Sequence, residues 1–325
     1  MTVRPGISGV RFWAGLTAVA VYALIILGGW VRSTNSGLSC PDWPTCYGQW
    51  VLTPADFAAL GDVGYSYFQV MLEWGHRFMA AVVVGPLILV LAILTFRSRA
   101  AHPTSFKLGI SLVVLLLVQA SLGGLTVLDA NSPWSVALHL GNALILFAAV
   151  LMLVLGAGPK SSVAVERGTI ALTLIWFVAL MTMITAAITA KSGASLACSS
   201  WPLCNDTLWV DWSDPQVRIN ATHRLLAALT VVGVVVLAGL SWRGGDNVLS
   251  KFLGLALAAL LLEVALGATL VMLENPVWAA VSHQALGVLV FALITLALGR
   301  SLQASRALPR PASLGSGGHV GLRSA

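Results

Sequence analysis

Eight runs of about twenty or more mostly apolar residues, near 10–31, 68–95, 107–128, 134–156, 168–190, 219–242, 250–272 and 278–300, constrain this chain more than any other feature. A bilayer core is about 30 Å thick, and an α-helix needs about 20 apolar residues to cross it. In hydrocarbon every backbone N–H and C=O must be paired within the chain, so only helices and closed barrels can span. Barrel strands alternate apolar and polar positions, and runs such as "LGISLVVLLLVQASLGGL" (108–125) do not alternate. The expected fold class is all-α integral membrane, with eight transmembrane helices. Hydrophobic residues make up 58% of the chain and charged residues 9%, a balance that no soluble core of this length needs. The start, "MTVRPGISGVRFWAGL", has a basic flank, but its apolar run is long and lacks a small-residue cleavage site, so the first helix is read as uncleaved.

A net charge of +6 suits a polyanion only if the charges cluster, and here they sort by topology. With eight spans, both termini and three alternate loops share one side. That side holds thirteen Lys and Arg residues, among them Arg4, Arg11, Arg97, Arg99, Lys107, Lys160, Arg243, Lys251, Arg306 and Arg310. The other side holds three, Arg32, Lys191 and Arg218. Positive residues accumulate on the cytoplasmic side, so both termini are expected in the cytoplasm, and no nucleic-acid partner is implied. The Pro-, Gly- and Ser-rich tail, 301–325, is expected to be disordered.

The chain is also duplicated. "SLGGLTVLDANSPWSVALHLGNALILF" (121–147) aligns with "ALGATLVMLENPVWAAVSHQALGVLVF" (265–291), placing His139 on His283 and Trp134 on Trp278. "EWGHR" (73–77) faces "NATHR" (220–224), and "SCPDWPTCYG" (39–48) faces "ACSSWPLCND" (197–206). The reading is an N-terminal four-helix bundle (1–156), a cytoplasmic linker (157–167), a C-terminal four-helix bundle (168–300) and the tail. An even number of spans per repeat makes the bundles parallel, related by a pseudo-two-fold axis along the membrane normal.

Two of the six histidines, His102 and His319, fall in a loop and in the tail. The other four, His76, His139, His223 and His283, lie in or at the start of the second, fourth, sixth and eighth helices, all near the outer side. Ionisable groups inside spans are rare and usually functional, although one such histidine can serve only as an interhelical hydrogen-bond partner. As a set they read differently, since each bundle has two on different helices. Two imidazoles facing each other supply the axial positions of a six-coordinate haem iron. Zinc asks for three or four ligands. The outer helix ends carry the small residues a flat macrocycle needs, in "LGGLT", "LGNAL" and "LGATL". Arg77 and Arg224 follow His76 and His223, and either pair with haem propionates or anchor the helix at the interface.

The repeat breaks at Glu73, whose counterpart is Asn220. Glu73 is one helical turn before His76, where an acid at an apolar margin can move protons; its alternative role is an ion pair with Arg77 at i, i+4. On this ground the first bundle is assigned the reacting molecule and the second a permanent electron-transfer haem. Gln119 and Glu263 also correspond, in the third and seventh helices, and are read first as polar interhelical contacts and second as a proton path. The Cys pairs lie on the outer side, where disulfides form readily. Their spacing favours Cys40–Cys46 and Cys198–Cys204, as loop staples or as thiol–disulfide exchange centres; crossed bridges are not excluded by spacing.

Together "STNSGLSCPDWPTC", "EWGHR", "ATHR", the His after "NSPW" and the His after "ENPVW" resemble the haem A synthase family of bacterial and mitochondrial inner membranes, in its Cys-pair-containing branch. The likeness covers about residues 10–300. It implies oxidation of a methyl group of haem O to a formyl group, giving haem A for cytochrome c oxidase, through an alcohol and a hydrated aldehyde. It makes His76 and His139 the ligands of substrate haem, with Glu73 beside them, and His223 and His283 the ligands of a bound haem b. It implies a multi-pass protein of the bacterial inner membrane, in contact with the lipid bilayer, with haem O as substrate and with haem O synthase and oxidase assembly factors as candidate partners. Three rivals share parts of this pattern: a dihaem b-type cytochrome relaying electrons, a haem carrier, and a membrane thiol oxidoreductase.

Overall fold

A computed structural model describes residues 7–156, 167–207 and 209–305. Most of the linker and of the tail, with Lys160, Arg306, Arg310 and His319, lies outside the described residues. The described chain is helical: α1 (Ile7–Ser33), α2 (Pro54–Ala59), α3 (Tyr67–Phe78), α4 (Gly85–Arg97), α5 (Pro103–Leu128), α6 (Pro133–Leu155), α7 (Arg167–Lys191), α8 (Pro215–Gly244), α9 (Asn247–Met272) and α10 (Val277–Ser305). Eight helical spans are long and apolar enough to cross a membrane, one of them Tyr67–Arg97, which joins α3 to α4. The protein is a multi-pass membrane protein.

Several helices begin earlier than the apolar runs suggest, because polar caps precede them. Ser66, Ser132, Asp214 and Asp246 each accept a backbone N–H of the first turn, and Pro stands in the first turn of α5, α6 and α8. A cap contributes about 1 kcal/mol, and proline at a first turn costs nothing because its missing N–H would have no partner there. The short α2, capped reciprocally by Thr53 and Asp56, has six residues and is too short to register as an apolar run. Between α3 and α4 the helix widens into a π segment, Met79–Val84, where the Gly85 N–H reaches back five residues to Ala80 O. Pro86 follows at once and cannot donate to the preceding turn, so the backbone absorbs the missing bond by widening. Gly233 occupies the matching place in α8, which runs unbroken.

The duplication persists in the backbone. Left-handed residues occur in matched pairs after corresponding helices: Asn35 and Gly193, Tyr47 and Asn205, Gly48 and Asp206, Ala130 and Glu274, Asn131 and Asn275. The α5–α6 and α9–α10 connections close on the same bonds, Asn131 N–H to Thr126 O and Asn275 N–H to Leu270 O. Packing is mirrored as well: α1 lies on α6 and α10, and α7 on α10 and α6, while α6 and α10 touch each other. α6 and α10 are therefore the central helices, with 50% and 56% of their apolar windows buried against 11% and 17% for α5 and α9. Phe147, Val150, Phe291 and Ile294 belong to the one core these helices share, with Phe147 against Tyr22 of α1 and Phe291 against Trp176 of α7. Polar ties reinforce the join: Tyr22 donates to Ala285 O (3.1 Å) and Gln284 to Ile25 O (2.9 Å).

Candidate functional site

All four span histidines lie toward the face that carries the cysteine loops, and the helices bring them together in two couples. His76 on α3 is within electrostatic reach of His139 on α6, and His223 on α8 of His283 on α10. Glycines on neighbouring helices let the rings approach. A Cβ on Gly28 of α1 would stand 3.0 Å from His76 Cε1, one on Gly123 of α5 3.2 Å from His139 Cε1, and one on Gly267 of α9 3.3 Å from His283 Cε1.

The couples differ in how they are held. His223 Nδ1 is 3.1 Å from Thr182 O. His283 Nδ1 is 3.2 Å from Glu263 O and 3.2 Å from Glu263 Oε1. Both second-half rings are thus held through Nδ1. In the first half the Leu24 carbonyl, in the place of Thr182, lies against the His76 ring, although the buried His76 Nδ1 makes no well-aligned hydrogen bond. His139 has only the Gln119 amide, 3.2 Å from either ring nitrogen, and Asn142 secures that amide by donating to Gln119 Oε1 (2.7 Å). Gln119 and Glu263, read from the sequence first as simple helix contacts, prove to be the partners of His139 and His283. The clue was present: each His and its partner shift together between the repeats, so the contact itself is duplicated.

Glu73 is buried and fully engaged. Its Oε2 accepts from Ser39 Oγ (3.0 Å) and the Cys40 N–H (2.9 Å), and its Oε1 from Arg77 (2.7 Å). The i, i+4 ion pair is formed, and it is one arm of a larger clamp. Arg77 also donates to Asp42 O and Thr45 O, both at 2.6 Å, and to Cys40 O at 3.2 Å. Arg224 does the same in its half, to Ser200 O (2.8 Å), Leu203 O (3.1 Å) and Cys198 O (2.8 Å). The two arginines, for which the sequence left propionate pairing and interfacial anchoring both open, bind loop carbonyls and lock each loop to the residue after its histidine. Arg77 keeps only its Nε–H uncommitted, whereas Arg224 also keeps one Nη2–H. Asn220, in the place of Glu73, reverses the polarity by donating to Ala194 O (2.7 Å) and Ser195 O (3.0 Å).

Each clamped loop is closed by a disulfide, Cys40–Cys46 and Cys198–Cys204. Trp43 reaches from the first loop to Gly124, where a Cβ would stand 3.3 Å from its ring, so the loop covers the end of α5 beside His139. Asp42 ties the loop's own turn, accepting from Thr45 and from the backbone N–H of Tyr47 (2.6 Å) and Gly48 (3.0 Å). Burial raises the Asp42 carboxyl, but the bonds from Thr45, Gly48 and Tyr47 outweigh it and hold the group below its ordinary value. A depressed carboxyl contributes its full stability above the unfolded value, about 3.9, and loses it as pH falls through the lower folded value. Amide exchange at Tyr47 and Gly48 should therefore be flat from pH 8 to 5, after correction for intrinsic rates, and accelerate only below about pH 4.

Among the described residues no cluster of three or more His, Cys, Asp or Glu side chains could hold a bare metal ion. Paired imidazoles, glycine-thinned walls and Nδ1 anchors fit an iron porphyrin, whose ring supplies four ligands and asks the protein for two. The model of the family COX15-CtaA, cytochrome oxidase assembly protein, matches residues 11–295. The chain is 28% identical over 293 residues to heme A synthase of an Exiguobacterium species, covering 88% of this chain and 91% of that one. It is 28% identical over 327 residues to heme A synthase of Geobacillus kaustophilus, covering 95% and 96%. The corresponding figures for heme A synthase of Methylorubrum extorquens are 28% over 349 residues, 94% and 90%.

Proposed function

The chain belongs to the COX15-CtaA family of cytochrome oxidase assembly proteins, and from that premise we propose that it is a haem A synthase, oxidising a methyl group of haem O to the formyl group of haem A. In chemical class it is then an oxidoreductase acting on a CH group. The unlike polar partners of the two halves carry the division of labour: Glu73, one turn before His76, has Asn220 as its counterpart, and Glu263, on His283, has Gln119. A carboxyl group one turn from a ligand suits the half in which the substrate reacts, at His76 and His139. A ligand met on Nδ1 by two oxygens of one residue suits a resident group, at His223 and His283. The second half therefore holds haem b, which when bound can carry single electrons, and the first half holds the substrate.

The chain's own residues orient and protect. His76 and His139 fix the substrate iron, Trp43 and the clamped loop shield the site from the aqueous face, and Glu73 offers a carboxylate one turn from His76 to receive a proton. Arg224, with donors to spare, is placed for a propionate of the resident haem, while Arg77 holds the loop. The disulfides staple these lids. The excess of Lys and Arg on the opposite face supports a bacterial inner membrane protein with both termini cytoplasmic, and the mirrored packing supports two four-helix bundles about a pseudo-two-fold axis. Haem O synthase and oxidase assembly factors are the partners this chemistry calls for.

Purification from cells that make haem O tests the reading. The expected extract contains haem b together with haem O or haem A. Haem b alone, at two per chain, would establish the electron relay instead, and a haem-free chain the thiol oxidoreductase. A mutant pair localises the resident site. Gly267→Val should lower retained haem b about tenfold by pushing on His283, whereas Gly254→Val, with nothing within 4 Å of its Cβ, should leave it unchanged, both read by pyridine haemochrome absorbance.

A further inference from the structure

We propose that Glu263 is the positioning residue of His283 and, through the imidazole, biases the iron of the second-half haem toward its ferric form. The inference rests on the resident-haem reading above. His283 Nδ1 meets two oxygens of one residue, the Glu263 carbonyl and Oε1, each at 3.2 Å. Both are acceptors, so Nδ1 carries the hydrogen and Nε2 is the nitrogen offered to iron. The carboxylate reaches this place because Gly287, one turn beyond His283, is buried and has no side chain: a Cβ there would stand 3.0 Å from Glu263 Oε1. Among the described residues the Glu263 side chain forms no ion pair with Lys or Arg, and its Oε2 is buried without a partner. Its Oε1 is therefore directed at the ring alone.

The first half lacks every part of this device. Gln119 replaces Glu263 and Ala143 replaces Gly287. The Gln119 carbonyl oxygen is taken by Asn142, so its amide nitrogen faces His139. One imidazole thus meets a carboxylate acceptor and the other an amide donor. An acceptor on Nδ1–H makes the ring a stronger electron donor through Nε2, and stronger donation stabilises ferric over ferrous iron. The resident haem then rests oxidised, the form able to take an electron, while the substrate iron is gripped by a weaker donor.

Optical redox titration of the purified full-length protein, with low-temperature electron paramagnetic resonance, tests this. Glu263→Gln should raise the ferrous-to-ferric ratio at fixed potential about tenfold, which for a one-electron couple is about 59 mV upward, and shift the low-spin g values while haem content is retained. Gly287→Ala keeps the carboxyl but presses on Met183 Sδ and Glu263 Oε1 together, and should move the midpoint in the same direction by a smaller amount. An unchanged midpoint and unchanged g values in a haem-loaded Glu263→Gln variant would overturn the inference and leave the haem assignment standing. If that variant does not fold, the same two readouts on Gly287→Ala decide. A wild-type chain without haem overturns both readings together.

Discussion

Glu73→Gln is expected to retain haem b and to lower haem A formation at least about 100-fold, the range that loss of a positioned proton acceptor produces. The isosteric amide keeps an oxygen for Ser39 and the Cys40 N–H but removes the charge that meets Arg77. Glu73→Ala is the harsher change. Removing one partner of a buried ion pair costs about 3 to 5 kcal/mol, and here it also strands the Cys40 N–H, so the first loop should open. Hydrogen exchange across residues 39–48 separates the effects: inactivity with an intact loop assigns Glu73 to the chemistry, and inactivity with an exchanging loop assigns it to the clamp. Full activity of Glu73→Gln with haem O as substrate would remove the carboxylate from the mechanism.

The second large effect is expected at the resident site. His223→Ala should reduce haem b per chain about tenfold or more, because it deletes one of two protein ligands. His283→Met is milder, since a thioether can still bind iron, and should keep part of the haem with an altered visible spectrum and a higher midpoint. Bound haem b with an unchanged spectrum in both variants would move the site elsewhere. The same substitutions at His76 or His139 should spare haem b and remove haem O and haem A from the extract.

Legibility followed the range of the interaction. The spans could be read because crossing a bilayer is a local requirement on about 20 consecutive residues. The pairing of Cys40 with Cys46 and of Cys198 with Cys204 was favoured because the partners are close in the chain. His76, His139, His223 and His283 stood out because an imidazole in a span is expensive. The arginine clamps were not legible, since Arg77 and Arg224 sit in helices while the carbonyls they bind belong to loops more than twenty residues earlier. The π segment at Met79–Val84 was hidden because apolar residues fill α and π turns alike, and only Pro86 hinted at it.

By itself the order of residues determined the class of fold, the eight crossings, the duplication and the presence of four histidines within the spans, because each is set by composition or spacing along one segment. Tertiary structure alone decided which faces turn inward, that α6 and α10 form the centre, and that His283 meets the oxygens of Glu263 where His139 meets an amide. The reason is physical. Helices that are apolar all round carry little record of their inner face, and a hydrogen bond between distant helices such as His283 to Glu263 exists only once packing has brought its two ends within reach.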